Sequence, residues 1–492
     1  MLKCSHILSF YILTTAFTTV NSDSIMAQYQ INDSVVLTGG DTEAGDYFGY
    51  SVDINNDRAV IGAYLDDDNG SNSGSVYVFH IEDGNWVQEA KLHASDGKAN
   101  DWLGWSVAIS EDTIVAGANR DNEAGDWTGS AYVFRYEGTS WVEQQKLLAD
   151  ATGHYWEEFG FDAAISADSN TILIGACKAN DNGFKSGAAY IFRYDGTTWF
   201  QQAKLLASDG AELATFGNSV AISDDGNTVL IGAPGNDSNG RTYGSVYVFA
   251  CENGSWIEKQ KLLAHDAAHG DHFGWSLAVS RNILVTGAYG DDNSEPDNVY
   301  CNSGSAYIFN FDGKQWVEQA KLQSPSGECL SQFGWSVDVF DNNVIIGEPD
   351  GSWGTTSGSG SAYLFTFNGL RWIPRAKLVS DGVRYGDHFG WSAAISEKAV
   401  LIGSELSDIN GLDSGAAYGF DVNLIPGDFD CDGIVGYSDL CIFASAWLAR
   451  YGDTVWNPVC DIGVKADDVI DISDLTIFAE NWLKNMERKS IK

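Results

Sequence analysis

Basic residues are scarce in this chain: 28 Lys and Arg stand against 68 Asp and Glu, and the formal net charge is −40. Nucleic-acid binding needs a basic surface, and attachment to an anionic membrane needs clusters of Lys and Arg. Neither kind of partner is therefore expected. The acidic balance suits metal cations, cationic ligands or solubility outside the cell, and these three interpretations stay open at this point.

Long apolar runs are missing as well. The stretch Ile7–Val20 is too short and too rich in Thr to span a bilayer. Lys3 precedes it and small or polar residues follow it up to Ala27, which is the pattern of a secretory signal peptide. We therefore predict a signal peptide over residues 1–27, cleaved after Ser22 or after Ala27. The mature protein is then secreted or held at the cell surface, with no membrane span.

Proline is rare, with 7 residues against 54 Gly, so turns built from Gly, Asn and Asp are expected, as in β-hairpins. The chain has 8 Cys, of which Cys4 leaves with the signal peptide, so at least one of the remainder is unpaired or pairs with another chain. Cys301 and Cys329 end in neighbouring loops and form one candidate disulfide. Cys431 and Cys460 form a second, and spacing alone decides neither.

A large apolar residue followed by Gly recurs seven times, and each time it opens an alternating strand. The openings are FGYSVDI from Phe48, LGWSVAI from Leu103, FGFDAAI from Phe159, FGNSVAI from Phe216, FGWSLAV from Phe273, FGWSVDV from Phe333 and FGWSAAI from Phe389. Their spacings are 55, 56, 57, 57, 60 and 56 residues. A period of this length indicates one supersecondary unit that is copied and stacked.

Each copy has the pattern of four short antiparallel strands, and seven such sheets arranged radially form a β-propeller. Six copies end in a fourth strand of the form W-x-x-x-x-K-L, but the seventh stops after Ala417–Phe420. An unassigned strand, Gln28–Leu37, stands ahead of the first copy. We therefore predict a mainly-β, seven-bladed propeller over residues 28–422, closed by its own N-terminal strand.

The strand order places the loops between second and third strands, and those between sheets, on one face of the propeller. This long-loop face carries most of the acidic residues and is where a ligand is expected. Two candidate cation loops lie on it: Asp66, Asp67 and Asp68, and then Asp291 and Asp292. The alternative is that these side chains cap turns. Four further acids precede the motif by two residues and are interpreted as loop braces: Asp46, Asp101, Asp271 and Asp387.

Aromatic and His residues of the long-loop face are further candidates. Trp127, Trp156 and Trp353 lie in loops, where a sugar-stacking role competes with ordinary packing. His272 and His388 share the context G-D-H-F-G and are the repeated His residues that acid–base work would use. The alternative for the two His residues is simple divergence of the repeat.

At its F-G and G-A steps the chain resembles the FG-GAP repeat family, known from integrin α-subunit propellers and many bacterial surface proteins. The resemblance covers about residues 28–422 and implies the propeller fold. It also implies calcium loops of the form D-x-D-x-D-G between the first two strands. Those turns read SEDT, SADSN or SDDGN here, which are too short and too poor in carboxylates for a calcium cage.

A different duplication follows Pro426-Gly427. The segment DFDCDGIVGYSD matches a calcium loop, with ligands expected from Asp428, Asp430, Asp432, the Ile434 carbonyl and Asp439. The second copy is irregular, and its expected ligands are Asp461, Asp467, Val469, Asp471 and Asp474. The segments after the two loops repeat one apolar helical stripe, Leu440-Phe443-Ala444-Trp447-Leu448 and Leu475-Phe478-Ala479-Trp482-Leu483. Two helices packed on each other are therefore predicted, with calcium supplying folding energy.

This paired loop-helix segment, residues 427–484, resembles a type I dockerin, and residues 485–492 form a tail. The resemblance implies a small all-α, EF-hand-like domain that binds Ca²⁺ and docks to a cohesin-type partner on a scaffold or cell surface. The recognition positions of that family fall on Tyr437, Ser438, Ile472 and Ser473.

Two functions remain from the sequence. The first is a secreted, calcium-binding, non-catalytic recognition or adhesion protein. Its propeller binds a glycan or protein, and its dockerin-like segment docks to a cohesin-like domain. The alternative is a dockerin-bearing enzyme of polysaccharide catabolism, a glycosidase or lyase, with its site on the long-loop face. No Ser-His-Asp order, H-E-x-x-H or nucleophile elbow occurs, and no catalytic residue is assigned.

Overall fold

The structure is a computed structural model. It describes residues 30–31, 34–122, 127–149, 156–235, 242–292, 302–327, 329–350, 358–367, 369 and 371–421, and beyond these 435–436, 440, 443–444, 447, 472, 474–479 and 482. Among the described residues, no helix has the length and apolar character that a bilayer crossing requires.

Seven sheets of β-strands make up residues 30–421. Two strands precede the first repeat, β1 (Gln30–Ile31) and β2 (Val35–Leu37). Sheets 1 to 3 comprise β3 (Phe48–Asn55), β4 (Arg58–Ala63), β5 (Ser75–Glu82), β6 (Asn85–Leu92); β7 (Leu103–Ser110), β8 (Thr113–Ala118), β9 (Ser130–Tyr136), β10 (Trp141–Leu147); and β11 (Ala163–Ile165), β12 (Thr171–Ala176), β13 (Ala188–Tyr194), β14 (Trp199–Leu205).

Sheets 4 to 7 repeat the same order of inner, second, third and outer strand. They comprise β15 (Ser219–Ile222), β16 (Thr228–Ala233), β17 (Ser245–Glu252), β18 (Ser255–Leu262); β19 (Leu277–Ser280), β20 (Ile283–Ala288), β21 (Ser305–Phe311), β22 (Trp316–Gln323); β23 (Val337–Phe340), β24 (Asn343–Glu348), β25 (Ser361–Phe367), β26 (Trp372–Leu378); and β27 (Ser392–Ile395), β28 (Ala399–Ser404), β29 (Ala416–Asp421).

The N-terminal segment closes the ring, as predicted. β2 pairs antiparallel with β29, with Val35 opposite Gly419 and Leu37 opposite Ala417, and so supplies the missing outer strand of sheet 7. The predicted single strand is in fact two. β1 pairs parallel with β26 and adds a fifth strand to sheet 6. The N-terminal segment therefore binds two neighbouring sheets.

The repeated glycines explain how closely neighbouring sheets pack. A Cβ placed on Gly62, in the G-A step of sheet 1, would overlap the carbonyl oxygen of Gly104, in the motif of sheet 2. Gly104 itself has φ +87°, which favours glycine. The same pair of glycines meets at all seven boundaries, ending with Gly403 against Gly49. The motif is therefore a packing device of the ring.

Serine and phenylalanine of the motif complete most boundaries, with Leu103 replacing the Phe in sheet 2 and Asp162 replacing the Ser in sheet 3. The Ser51 hydroxyl donates to the carbonyl of Gly104 over 2.8 Å, and the Ser392 hydroxyl donates to that of Gly49 over the same distance. Phe48 is fully buried and meets Tyr77 edge-on at 5.1 Å between ring centroids. Hydrogen bonds and buried aromatic contacts thus hold each inner strand against the next sheet.

The loop-brace interpretation is confirmed. The carboxylates of Asp46, Asp101, Asp271 and Asp387 each accept a hydrogen bond from the backbone N–H three residues earlier, over 2.6 to 2.8 Å. Each bond closes the loop that enters an inner strand. These acids therefore belong to the scaffold.

The cysteines are only partly described. Cys329 forms a disulfide, while Cys177 and Cys251 are free. The predicted partner of Cys329, Cys301, lies outside the described residues, as do Cys431 and Cys460.

Only fragments of the C-terminal module are described. Residues 474–479 are helical, and the rings of Phe443 and Phe478 stack with centroids 5.4 Å apart. This contact joins the two predicted apolar stripes. Of the predicted calcium ligands only Asp474 is described, and it is buried. Of the predicted partner-binding residues only Ile472 is described, and it is 67% exposed.

We expect Leu37→Ala to destabilise the propeller by about 2–5 kcal/mol, because a buried Leu of the closing strand leaves a cavity. Leu37 is 3% exposed, whereas Val36 in the same strand is 44% exposed. Val36→Ala is therefore the matched control and should change the unfolding free energy by less than about 1 kcal/mol. Guanidinium unfolding of both variants measures the difference, and equal stabilities would contradict the closing role of β2.

Candidate functional site

The inner strands surround one central channel with a volume of about 470 Å³. The third residue of each motif lies at its long-loop end, because each inner strand starts on that face. These seven residues, which we call the aromatic collar, are Tyr50, Trp105, Phe161, Asn218, Trp275, Trp335 and Trp391. Six of the seven are aromatic, although the sequence pattern alone had indicated only packing for this position.

Contacts between neighbouring rings make the collar nearly continuous. Centroids lie 4.7 Å apart for Tyr50 and Trp105, and 4.7 Å apart for Trp335 and Trp391. Asn218 interrupts the ring, and its side-chain amide donates to the carbonyl of Trp275 over 3.2 Å. All collar residues are partly exposed. The long-loop end of the channel therefore presents a pre-formed aromatic surface.

A stack of side chains runs outward from the collar across sheets 2 and 3. Trp102 stacks on Trp105 with centroids 5.4 Å apart and an interplanar angle of 13°. The Arg120 guanidinium lies 3.5 Å from the ring of Trp102 and 4.2 Å from that of Trp127. Trp127 contacts Trp156 at 4.6 Å. We call these five residues the Trp–Arg ladder.

The ladder includes two of the three Trp residues that the sequence had nominated for sugar stacking. Trp127 is partly exposed and Trp156 is 54% exposed, so neither belongs to the core. The third, Trp353, lies outside the described residues. Arg120 was not nominated, because a single cation in a polar loop carries no pattern of its own.

The two His residues of the G-D-H-F-G context have different surroundings. His388 Nδ1 lies 2.9 Å from a Glu405 oxygen and Nε2 lies 3.4 Å from Asp350. Burial raises the pKa of Glu405 to about 7. Burial works to lower the pKa of His388, but the hydrogen bond and charge of Glu405 outweigh it and raise that pKa.

His272 instead donates from Nδ1 to the carbonyl of Pro234 over 3.1 Å. It stacks on Tyr289 with an interplanar angle of 2°. Burial lowers the pKa of His272, so this imidazole is neutral at physiological pH. Among the described residues, His388 is the one of the two that lies beside carboxylates that could exchange a proton with it.

A family model for the FG-GAP repeat matches residues 32–79, 86–134, 141–192, 199–249, 256–309, 316–365 and 372–420. The chain belongs to the FG-GAP repeat family. Each matched segment spans the outer strand of one sheet and the first three strands of the next, so the seven matches agree with the seven sheets of the observed propeller.

Curated relatives of this FG-GAP protein include integrin α subunits. The chain is 28% identical to human integrin alpha-11 over 316 residues, which is 59% of this chain and 24% of the relative. It is 26% identical to integrin alpha-3 of Cricetulus griseus over 247 residues, 46% of this chain and 22% of the relative. The chain therefore spans only about a quarter of the length of the curated relatives it matches.

The turns between first and second strands do not fit the calcium cage that the family resemblance implies. In the turn of sheet 3, Asp168 accepts from the Ser166 hydroxyl at 2.6 Å and from the Asn170 N–H at 3.0 Å. In sheet 4, Asp225 accepts from Ser223 and Asn227 over the same distances. In each turn the Oδ1 atom of the Asp accepts both hydrogen bonds from residues of its own turn.

In this FG-GAP propeller a lysine ammonium lies at the first candidate cation loop. Asp66 is 2% exposed, accepts from the Tyr77 hydroxyl at 2.9 Å and pairs with Lys91 at 2.8 Å. Lys91 also pairs with Asp41 at 3.0 Å and with Asp68. Lys91 is the Lys of the W-x-x-x-x-K-L pattern in the outer strand. The ion-pair partner of Asp66 was therefore visible in the repeat.

The second candidate loop has the same arrangement in sheet 5. Asp291 accepts from the Tyr307 hydroxyl at 2.6 Å and pairs with Lys321 at 2.7 Å. Asp67 and Asp292 accept from the backbone N–H groups of Asn72 and Asn302, each over 2.6 Å. Within the described residues, no group of three or more His, Cys, Asp or Glu side chains could hold a metal ion. Cation binding at these loops stays a prediction.

Besides Asp224, three carboxylates line the channel below the collar: Asp53, Asp162 and Asp338. Each accepts one N–H from the next residue of its own chain segment and one from the following sheet, the latter over 2.7 Å. Burial raises their pKa values to about 6, 7 and 7. They tie neighbouring inner strands together and are not free ligands.

We expect Lys91→Met to destabilise the protein by about 3–5 kcal/mol, because it leaves Asp66 buried and unpaired. Lys259→Met is the control: its pair with Glu252 is exposed, and such pairs contribute at most about 1 kcal/mol. Guanidinium unfolding measures both variants, and equal losses of stability would contradict this geometry.

We expect the stability that Asp162 contributes to fall with rising pH. Its folded-state pKa is raised to about 7, against about 3.9 in an unfolded chain. The contribution is therefore fully present below about pH 4 and is lost as the pH rises through 7. Between pH 5 and 8 the wild type should lose on the order of 1–3 kcal/mol relative to Asp162→Asn. Denaturant unfolding at both pH values measures this, and a pH-independent difference would be inconsistent with a raised pKa.

Proposed function

We propose that this chain is a secreted recognition or adhesion protein that binds a glycan or protein ligand on the long-loop face of its propeller. The observation that carries the proposal is the aromatic collar, with the Trp–Arg ladder continuing from it. Rigid aromatic side chains offer large contact area at low conformational cost. They serve both as stacking surfaces for sugars and as anchors for protein partners.

The position of the collar supports a binding role. The seven glycine contacts, the serine hydrogen bonds and the braced loops hold every collar residue on a closed scaffold. A ligand entering the channel mouth therefore meets a surface that needs little reorganisation, which favours affinity. The similarity to integrin α subunits supports recognition or adhesion rather than catalysis, although it extends over only a quarter of those proteins.

Residues 427–484 extend the proposal. The dockerin-like pattern supports calcium binding by Asp428, Asp430, Asp432 and Asp439, and docking to a cohesin-type partner through Tyr437 and Ser438. All six residues lie outside the described part of the chain. The contact between Phe443 and Phe478 supports the paired arrangement of the two segments. The molecule would then bind a ligand through its propeller and a scaffold through residues 427–484.

One observation favours a second function, polysaccharide cleavage. His388, Glu405 and Asp350 lie together beside Trp391 of the collar. Burial raises the pKa of Glu405 to about 7, which is the range that general acid–base catalysis uses. This cluster is the place where an enzyme of polysaccharide catabolism would carry out proton transfer on the long-loop face.

We expect ligand binding to depend on the collar. The full chain is tested on arrays of plant and marine polysaccharides and on purified extracellular-matrix proteins, with Trp335→Leu as the collar variant. Phe200→Ala, which removes a 48% exposed aromatic side chain from an outer strand, is the control. Trp335→Leu should weaken binding about tenfold or more. Binding that survives Trp335→Leu but not Phe200→Ala would overturn the proposed face.

Two further experiments on the same protein test polysaccharide cleavage and docking through residues 427–484. New reducing ends or unsaturated products that disappear in Glu405→Gln would establish cleavage and displace the recognition proposal. For the dockerin-like segment, we expect immobilised cohesin to capture the chain in calcium and to release it when a chelator is added. If no capture occurs, the proposed docking fails, but the proposed binding by the propeller is not affected.

A further inference from the structure

Two Trp residues of the Trp–Arg ladder occupy positions at which the other sheets have different residues. A side chain with a structural role common to all sheets would recur in each of them. Trp127 precedes the Gly before a third strand by two residues, where sheets 1, 3 and 5 have Asn72, Lys185 and Asn302. Trp156 precedes the motif by three residues, where sheets 2 and 4 have Asn100 and Leu213. Only one copy carries the aromatic residue in each case. Ring closure does not require either side chain.

Arg120 is held rigidly and still has donors to offer. Its guanidinium lies between the rings of Trp102 and Trp127, at 3.5 and 4.2 Å. Its Nε is buried without a hydrogen-bond partner in the described part of the chain, and so is Trp102 Nε1. No ion pair joins Arg120 to a described carboxylate, whereas Lys91 pairs with three. Both Arg120 Nε and Trp102 Nε1 are covered by protein, so the donors that a ligand could reach are the terminal Nη groups of Arg120, which are not among the buried atoms without partners in the described residues.

An anion is the ligand that this arrangement suits. A planar guanidinium offers parallel N–H groups to a carboxylate in a bidentate geometry. Burial lowers the pKa of Arg120, although the group stays charged at neutral pH. The charge of Glu158 also acts on Arg120, but that carboxylate is paired with Lys178. More distant negative charges are screened beyond about 8 Å at physiological salt.

The neighbouring indole rings indicate which class of anion would bind beside Arg120. Trp156 is 54% exposed and lies 4.6 Å from Trp127, so its ring is available beside the guanidinium. The apolar face of a pyranose stacks on an exposed indole, and an acidic sugar carries its carboxylate on the same ring. An acidic peptide has a carboxylate but no such face. The two kinds of contact are therefore met together by a uronic acid residue.

We propose that the Trp–Arg ladder is a subsite for a uronate-containing glycan. Trp156 stacks on the sugar ring, and Arg120 donates hydrogen bonds to the carboxylate of the sugar. This inference rests on the proposed recognition function and names the ligand chemistry of one part of that face.

Calorimetric titration of the full chain with oligogalacturonate tests the inference. It is run in 0.15 M salt with calcium chelated, so that calcium bridges between carboxylates do not contribute. Arg120→Gln and Trp156→Ala should each weaken binding about tenfold or more, and Arg120→Lys should restore little, because the ammonium lacks the planar fork. Phe184→Ala is the matched control, since Phe184 is 55% exposed in the corresponding loop of sheet 3 and lies outside the ladder. Thermal unfolding of each variant separates lost binding from lost folding.

Comparison ligands make the outcome specific. Methyl-esterified oligogalacturonate, which keeps the sugar and removes the charge, should bind about tenfold more weakly. Equal binding of the ester, or tighter binding of dextran sulfate, would overturn the uronate assignment. Polyglutamate that binds as tightly and is unaffected by Trp156→Ala would indicate an acidic peptide instead. If no polyuronate binds while the collar variant still abolishes binding of another ligand, this inference fails and the proposed function stands.

Discussion

The close approach of two glycines at each sheet boundary is the constraint on which the rest of the structure depends. The Gly of one G-A step lies against the carbonyl of the next F-G step, with no room for a Cβ on Gly62 or on its counterparts. That contact sets how near the inner strands come to one another. The channel width, the serine hydrogen bonds and the positions of the collar side chains follow from it.

Several described acidic residues of the long-loop face are engaged in holding the scaffold. Asp46 and its counterparts brace loops, and Asp66 and Asp291 are neutralised by lysines of the outer strands. The large negative charge of the chain is therefore a poor guide to its binding site. Arg120 and Trp156, which are not repeated in the other sheets, are instead available to contact a ligand.

Much of this architecture could be predicted from the sequence. The period and the missing seventh W-x-x-x-x-K-L strand indicated seven sheets and closure by the N-terminal segment. The division of that segment into β1 and β2 was not predictable, because an extended run does not reveal which of two adjacent sheet edges it will join. The collar was also missed. Alternation shows that Trp105 faces one side of its strand, but only the closed ring turns that side into a channel.

The candidate site was predictable in part for a similar reason. Trp127 and Trp156 could be nominated from their loop positions, whereas the partnership with Arg120 depends on two loops that are brought together by sheets 2 and 3. In the acidic loops the sequence suggests a site that the structure does not support. Counting carboxylates near Asp66 suggests a cation site, until the fold brings Lys91 across from the end of the same sheet.

The central claim is that the uronate subsite belongs to the irregular positions of sheets 2 and 3, beside the collar, and that the repeated Gly, Ser and Asp residues hold the ring. Hydrogen-exchange mass spectrometry with and without saturating oligogalacturonate tests it most directly. We expect protection at residues 100–105, 117–122 and 156–161, and no change in the corresponding segments of sheets 5 and 6. Protection spread evenly around the seven sheets, or confined to the short-turn face, would contradict the claim.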